Sequence, residues 1–390
     1  MRVARFSQID DRLDAVVIGG GPAGAVSATL LARRGWRTLL VDRGPRGRPT
    51  CCGRCLNPRI GPLLDRLGLR DAVESATIGR SRSVRVHMAR GRTLDLPFRS
   101  ARGWLTPRAR LDAALLDEAE RAGATVLHGV RATVEPDRAH ESRPWRVRLR
   151  DDRGADSIRA ALLVGADGLG SAVARASGLA GSSRAGRAYG FCFTVGDGFA
   201  DRFTKRGAVE MFVSGAGYLG VGLSDDGSGH AAALVRSRRG DERCSPTEFL
   251  ESLAVDHPLL GGVADRIEEM RAAGPMPWRP ARVSAAGVAL VGDAAGYVEP
   301  FTGEGMAWAI ESASLLADSV AESRRFGVRE ARRYARAWSA AMRSSHRRCR
   351  AVAWALRRPA LVARMSRVAG VESALARGVV ARVIRAEAVT

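Results

Sequence analysis

Lysine is almost missing from this sequence: Lys205 stands alone among 62 basic residues, and against 41 acidic ones these leave a formal charge of +21 on 390 residues. A charge carried by arginine is explained by GC-rich coding as readily as by a basic partner. No basic block interleaved with aromatics, zinc-finger spacing or helix-turn-helix pattern accompanies it, so nucleic acid is set aside as a partner. Proline is sparse, at 16, while hydrophobic residues make up 46%, which excludes a disordered, collagen-like or low-complexity chain. There is no uncharged apolar run of about 18 residues and no signal-peptide core behind Met1 to Arg5, so the expectation is a soluble cytoplasmic protein. Of the six cysteines, three crowd together as Cys51, Cys52 and Cys55, which is not a secreted disulfide framework. The six histidines form no pair or triad, and no metal site is expected. At roughly 150 residues per domain the length predicts two or three domains.

What is present begins at Leu13. An apolar run to Ile18 leads into Gly19-Gly20-Gly21-Pro22-Ala23-Gly24, a helix-forming stretch ends at Gly35, and Thr38 to Val41 supplies a second strand that ends in Asp42. In such a strand, turn and helix the first glycine permits the tight turn, the second lets backbone approach a pyrophosphate, and the third lets the helix pack on the strand. Asp42, 18 residues past Gly24, is placed to accept from a ribose hydroxyl. The pattern predicts a dinucleotide without separating FAD from NAD(P).

Two later segments narrow the choice. Gly165-Ala166-Asp167-Gly168 closes a buried strand, where an aspartate can hold a ribityl hydroxyl. Val288 to Val291 runs into Gly292-Asp293-Ala294-Ala295-Gly296, then Pro300-Phe301-Thr302-Gly303-Glu304-Gly305, then a long helix from Met306 to about Ser323. The free N–H groups at that helix start could face the pyrimidine edge of a flavin.

With these three ordered motifs, the chain resembles the FAD-dependent oxidoreductase superfamily of p-hydroxybenzoate hydroxylase-type monooxygenases, geranylgeranyl reductases and flavin-dependent halogenases. The form Gly-Asp-Ala-Ala-Gly with Pro-x-Thr-Gly-Glu-Gly is most similar to the geranylgeranyl reductase branch. The resemblance implies an α/β fold: a Rossmann-type FAD-binding domain with an inserted antiparallel β-sheet substrate domain and a helical C-terminal region. On this reading residues 10–75, 105–180 and 276–328 build the FAD domain, 76–104 and 181–275 the substrate domain, and 329–390 the basic helical region. The implied cofactor set is Gly19, Gly21, Ala23, Gly24, Asp42, Arg43, Cys52, Gly53, Arg108, Asp167, Gly292, Asp293, Pro300, Gly303, Glu304, Gly305 and Met306. Arg108 is taken as a phosphate contact, against the plainer reading of a solvated helix-start arginine.

Cys52-Gly53 matches the Cys-Gly that geranylgeranyl reductase-like proteins carry near the flavin, although Arg54 replaces their further glycine. A zinc pair, a redox dithiol and ordinary loop thiols are the other readings of the cluster. Cys52 and Tyr218 are the candidate catalytic residues. Tyr189, Phe191, Phe193, Phe212 and Tyr218 alternate as strand side chains, either packing the core or lining an apolar pocket. Halogenation is set aside, because the sole lysine lies far from the early position it would need and the Trp-x-Trp-x-Ile-Pro motif is missing.

With one dinucleotide fingerprint, NAD(P)H is a transient electron donor or gives way to a partner reductase. The absence of an acid/base constellation favours a monooxygenase that hydroxylates or epoxidises an apolar or aromatic secondary metabolite through a flavin C4a-hydroperoxide. The alternative is a reductase of isoprenoid or other C=C bonds, for which the sheet lacks the Trp and Phe of the family's Tyr-x-Trp-x-Phe-Pro segment around Tyr218. A non-catalytic flavin-bound protein is the remaining class.

The charge is local. Residues 331 to 390 hold 14 arginines against Glu372 and Glu387, a surplus of 14 − 2 = 12. Arg347 to Arg358 mixes Arg with Ala, Val, Leu and Trp, as a basic amphipathic helix does. This is either a packed helical tail with a solvated face or a contact with the inner face of the membrane or with an acidic carrier that delivers the substrate.

Overall fold

The computed structural model describes residues 9, 13–88, 91–98, 102–136, 145–181, 188–195, 202, 207–236, 245–299, 301, 303–320, 323–356 and 358. Its centre is a six-stranded sheet in the order Ser284–Ala285, Val288–Leu290, Leu162–Gly165, Ala15–Ile18, Thr38–Asp42 and Thr125–His128. All neighbours are parallel except the two-residue edge strand. These strands are near-continuous runs of Val, Leu, Ile and Ala because helices cover both faces. Helix Pro22–Arg33 packs against both Arg108–Arg121 and Gly305–Ser319. Ten of its residues are buried, so it has no solvent stripe and carries small side chains, Ala, Ser and Thr, where neighbours approach.

Arg131–Pro136, Trp145–Asp151 and Gly154–Ala160 form a three-stranded antiparallel sheet. The second large sheet has seven strands in the order Ile267–Met276, Ala188–Val195, Gly229–Arg236, Gly217–Leu223, Ala208–Val213, Ser83–Met88 and Arg92–Pro97. It thus joins the segments before and after the Asp-Gly motif, through a parallel pairing of Ala208–Val213 with Ser83–Met88. Helix Pro246–Asp256 covers part of one face, with Phe249, Leu250 and Leu253 buried against Phe191, Phe193 and Phe212. Three short strands, Cys55–Leu56, Gly79–Ser81 and Gly103–Leu105, form a small sheet that the sequence does not announce, since two- and three-residue strands leave no periodicity.

The chain then forms one 29-residue helix, Val328–Leu356. It packs against Gly305–Ser319, and Tyr334, fully buried, donates to the Leu290 carbonyl at 2.6 Å. Among the described residues no helix is long and apolar enough to cross a membrane.

Candidate flavin site

The glycine turn is built by contacts that exclude side chains. Gly19 has φ of 111°, and a Cβ there would lie 2.3 Å from the Ala166 carbonyl oxygen; at Gly24 it would lie 1.8 Å from the Gly19 carbonyl oxygen. Gly21 differs: its free face meets only Arg108 Nη2 at 3.1 Å and opens on the cavity. Helix Pro22–Arg33 has no side-chain cap, so the N–H groups of its first turn are free to meet an anion. At the end of the neighbouring strand the Asp42 carboxylate accepts from the backbone N–H of Gly20 at 2.6 Å and of Gly44 at 2.7 Å. It thereby ties the turn to the second strand.

This turn forms one wall of a deep cavity between the two large sheets. Gly21, Ala23, Arg108, Gly292, Asp293, Gly303, Gly305 and Met306 line the cofactor side, with Cys52 and Gly53 from the cysteine loop and Tyr218 on the sheet side. Part of the floor from the seven-stranded sheet is small-residue backbone, contributed by Gly190, Gly220, Gly222, Ala232 and Ala233. Sequence reasoning missed Tyr297, Phe301, Met211 and Met276 here. Tyr297 flanks a motif already singled out and Phe301 lies inside one; the two methionines sit in strands whose patterning does not say which face meets a cavity.

Arg108 makes a bidentate pair with Asp112, at 2.8 and 3.0 Å, one helical turn on. Asp293 is half-buried at the same wall, and its removal from solvent, partly offset by Arg108, pushes its carboxyl up to about 6. Helix Gly305–Ser319 lacks a side-chain cap, and its start lies on the cavity. Gly292, with φ of 57°, donates to Ser312 Oγ at 2.8 Å, which fixes the Gly-Asp turn to this helix.

Several expected cofactor residues are turned to other uses. Asp167 does not line the cavity: its carboxylate accepts from Ser171 Oγ and from the N–H groups of Ala172 and Val173, capping the helix Ala172–Ala176. The carboxylate of Glu304 takes the Arg59 guanidinium at 3.1 Å and the Ser345 hydroxyl at 2.6 Å, and Ser345 accepts from the Trp308 indole at 3.0 Å. It is a clamp between the long helix and the cavity helix. Arg43 is exposed beyond the second strand, outside the lining, and Pro300 lies outside the described residues. The helix expected from Met306 to about Ser323 is Gly305–Ser319, which stops four residues earlier.

In the cysteine loop Arg54 has φ of 59°, the left-handed region that favours the glycine it replaces. Its guanidinium reaches His230 Nε2 at 2.7 Å. Burial raises the Cys52 thiol and pushes Cys55 up to about 12, so both stay protonated near neutrality. Cys192, in the sheet, is drawn down to about 7 chiefly by a hydrogen bond from Cys51. Among the described residues no group of His, Cys, Asp and Glu could hold a metal.

The sequence profile of the FAD-binding domain family matches residues 12–358. The chain belongs to this family. Among curated proteins, this FAD-binding protein is 28% identical over 326 residues to digeranylgeranylglycerophospholipid reductase 2 of Methanothermobacter thermautotrophicus, covering 80% of this chain and 78% of the relative. It is 30% identical over 353 residues to the chloroplastic geranylgeranyl diphosphate reductase of Nicotiana tabacum, covering 84% and 71%. Among solved structures, a geranylgeranyl bacteriochlorophyll reductase-like protein from Thermoplasma acidophilum superposes with a TM-score of 0.76 at 22% identity, covering 88% and 87%. The flavin-dependent halogenase CmlS does so with a TM-score of 0.73 at 21% identity, covering 86% and 63%.

The residues of this FAD-binding protein suit that cofactor. An uncapped helix start and the bare face of Gly21 beside Arg108 form an anion cradle, and the second uncapped helix start lies across the cavity. Asp293→Ala should weaken FAD retention, read as visible flavin absorbance per protein after gel filtration. Asp293→Asn tests the electrostatics separately. Because the folded carboxyl lies above its unfolded value near 3.8, it penalises folding increasingly as pH rises from there to about 6. The flavin-free Asn variant should therefore melt higher than the parent above pH 6 and match it near pH 4.

Proposed function

We propose that this FAD-dependent oxidoreductase is a reductase that saturates C=C bonds of an apolar, isoprenoid-type substrate. The preference for a monooxygenase drawn from motifs is thereby reversed. Support comes from the two reductases above, whose similarity runs along most of this chain.

The structural observation that carries the reading is Tyr218. It is 3% exposed, it lines the cavity from the sheet side, and its hydroxyl has no hydrogen-bond partner among the described residues. Burial raises this phenol well above its ordinary value, so it carries its proton at any physiological pH. Phe301 closes on its ring edge at 5.2 Å. A hydroxyl left unsatisfied in an apolar wall is costly unless a ligand uses it. Alkene reduction needs two deliveries, a hydride and a proton; reduced FAD supplies the first when bound. Tyr218 is suited to supply the second from the opposite wall, with the protonated Cys52 thiol as the other candidate. The apolar lining excludes water while the substrate chain is held. NAD(P)H or a partner reductase supplies the electrons, and the basic helical region is taken as the contact with the membrane or carrier from which the substrate arrives.

The test is anaerobic turnover of the dithionite-reduced holoenzyme with geranylgeranyl diphosphate, followed by mass spectrometry. Saturated product without oxygen is expected; oxygen-dependent incorporation of an oxygen atom would restore the monooxygenase reading. In the same assay Tyr218→Phe should lower kcat by about 10²-fold or more while leaving FAD content unchanged. An undiminished rate would remove Tyr218 from the chemistry.

A further inference from the structure

A second concavity lies behind the flavin cavity. It is a groove of about 1140 Å³ between the segment Pro277–Ala286 and the long C-terminal helix. Arg343, His346, Arg350 and Trp354 recur along that helix at intervals of three or four residues and so form one face of it. Arg279 faces them from the other wall.

The charge in this groove is uncompensated. Arg279, Arg343 and Arg350 make no ion pair among the described residues, and the groove's one carboxylate, Glu299, accepts both hydrogen bonds of Arg236, at 3.2 and 3.3 Å. Guanidinium groups gathered without a counter-charge repel one another, and their planar forks match a phosphate in paired hydrogen bonds.

A second observation is independent of charge. His346 is 8% exposed and lines the groove, yet its Nε2 has no partner among the described residues. Its ring is fixed edge-on by Trp308 at 4.6 Å and Trp338 at 5.8 Å. The imidazole is held neutral: burial first, then Arg350 and Arg279, bring it down to about 4. Both arginines therefore stand close to it, and a neutral imidazole can still offer one N–H to an anion. Trp338 and the half-exposed Trp354 add an apolar floor beside the charges.

We infer that this groove is a binding site for a phosphate-bearing anion, held by Arg279, Arg350 and His346 and separate from the flavin cavity. Tyr297 is the residue that lines both concavities, and it is bonded to Trp278 through both backbone groups, at 2.9 and 3.1 Å. The two sites are thus back to back across a single pairing of backbone. The inference does not depend on which reaction the flavin cavity performs.

The experiment uses the full-length, FAD-loaded protein, titrated with inorganic pyrophosphate while tryptophan fluorescence and the visible flavin spectrum are recorded. Sedimentation with phosphatidylglycerol vesicles and with phosphatidylcholine vesicles runs beside it. Saturable binding with an unchanged flavin spectrum is expected, weakened about tenfold or more in Arg279→Ala/Arg350→Ala. Both arginines are exposed and unpaired among the described residues, so the variant should keep its FAD content and melting temperature. Pyrophosphate binding without vesicle binding identifies a soluble phosphate ester, and selective capture by phosphatidylglycerol identifies a lipid headgroup; either supports the site. Failure of both probes, or equal binding by the double variant, overturns it.

Discussion

Replacing Arg108 with alanine should strip the protein of flavin and lower its stability by about 3–5 kcal/mol, the cost of leaving one member of a buried ion pair alone. Asp112 is 7% exposed and takes both its hydrogen bonds from Arg108, at 2.8 and 3.0 Å. Asp293 stands on the same wall and owes part of its ionisation to the same guanidinium. Without Arg108, Asp293 would sit in a low dielectric with no counter-charge and Asp112 would keep only the more distant Arg48, and both pKa values would rise further. A raised folded pKa penalises folding at high pH and is relieved as pH falls through it. The variant's melting temperature should therefore recover on going from pH 8 toward pH 5, opposite in sign to a simple loss of packing. Arg108→Leu with Asp112→Leu should restore the melting temperature and still bind no flavin. If that double variant is yellow, Arg108 is a structural ion-pair partner and nothing more.

Gly24→Ala should be as damaging for a reason that involves no charge. The added methyl would overlap the Gly19 carbonyl oxygen at 1.8 Å, with the Ala166 Cβ at 3.1 Å beside it, and backbone cannot rotate away as a side chain can. Overpacking costs of about 1–3 kcal/mol apply where neighbours give way. Here the turn itself must open, so the expected cost is on the order of 3 kcal/mol or more, with loss of soluble, flavin-bound protein. Gly21→Val is the informative contrast. It meets only the end of the Arg108 side chain and should fold, yet it should not hold FAD. Thermal melts and flavin content separate the two: Gly24 fails in both, Gly21 in the second alone.

How much of this was readable beforehand depends on whether a residue acts through its backbone or its side chain. The glycine turn and the helix starts at Pro22 and Gly305 were legible, because missing Cβ atoms and strand-to-helix order are local properties of sequence. Asp42, expected at a ribose hydroxyl, instead accepts from the N–H groups of Gly20 and Gly44. Asp167 and Glu304 belong to the same motifs, but a motif does not say where a carboxylate points. Asp167 caps the short helix that follows it, and Glu304 answers Ser345, which lies 41 residues later and becomes a neighbour only once the long helix folds back. Cys192 has its hydrogen-bond partner in Cys51, which comes from a loop 141 residues earlier and is a neighbour only in the folded chain. The groove beneath the long helix was visible only as an arginine surplus. Charge density is a sum over sequence, whereas a site needs Arg279 to arrive from a different segment.

Among the residues that the seven-stranded sheet presents to the cavity, Gly190, Gly220, Gly222, Ala232 and Ala233 are defined by how little they carry. That bare patch offers no functional group of its own, so it sorts guests by girth and leaves their chemistry to Tyr218 beside it and to the cofactor wall. It is also adjustable in single carbons: a Cβ at Gly222 would sit at ordinary contact distance, 3.4 Å from Leu105, whereas at Gly220 it would press on Met211 Sδ at 2.8 Å. The calibre of the guest is therefore a dial that can be turned on one sheet while the cofactor half, built on the other, stays as it is.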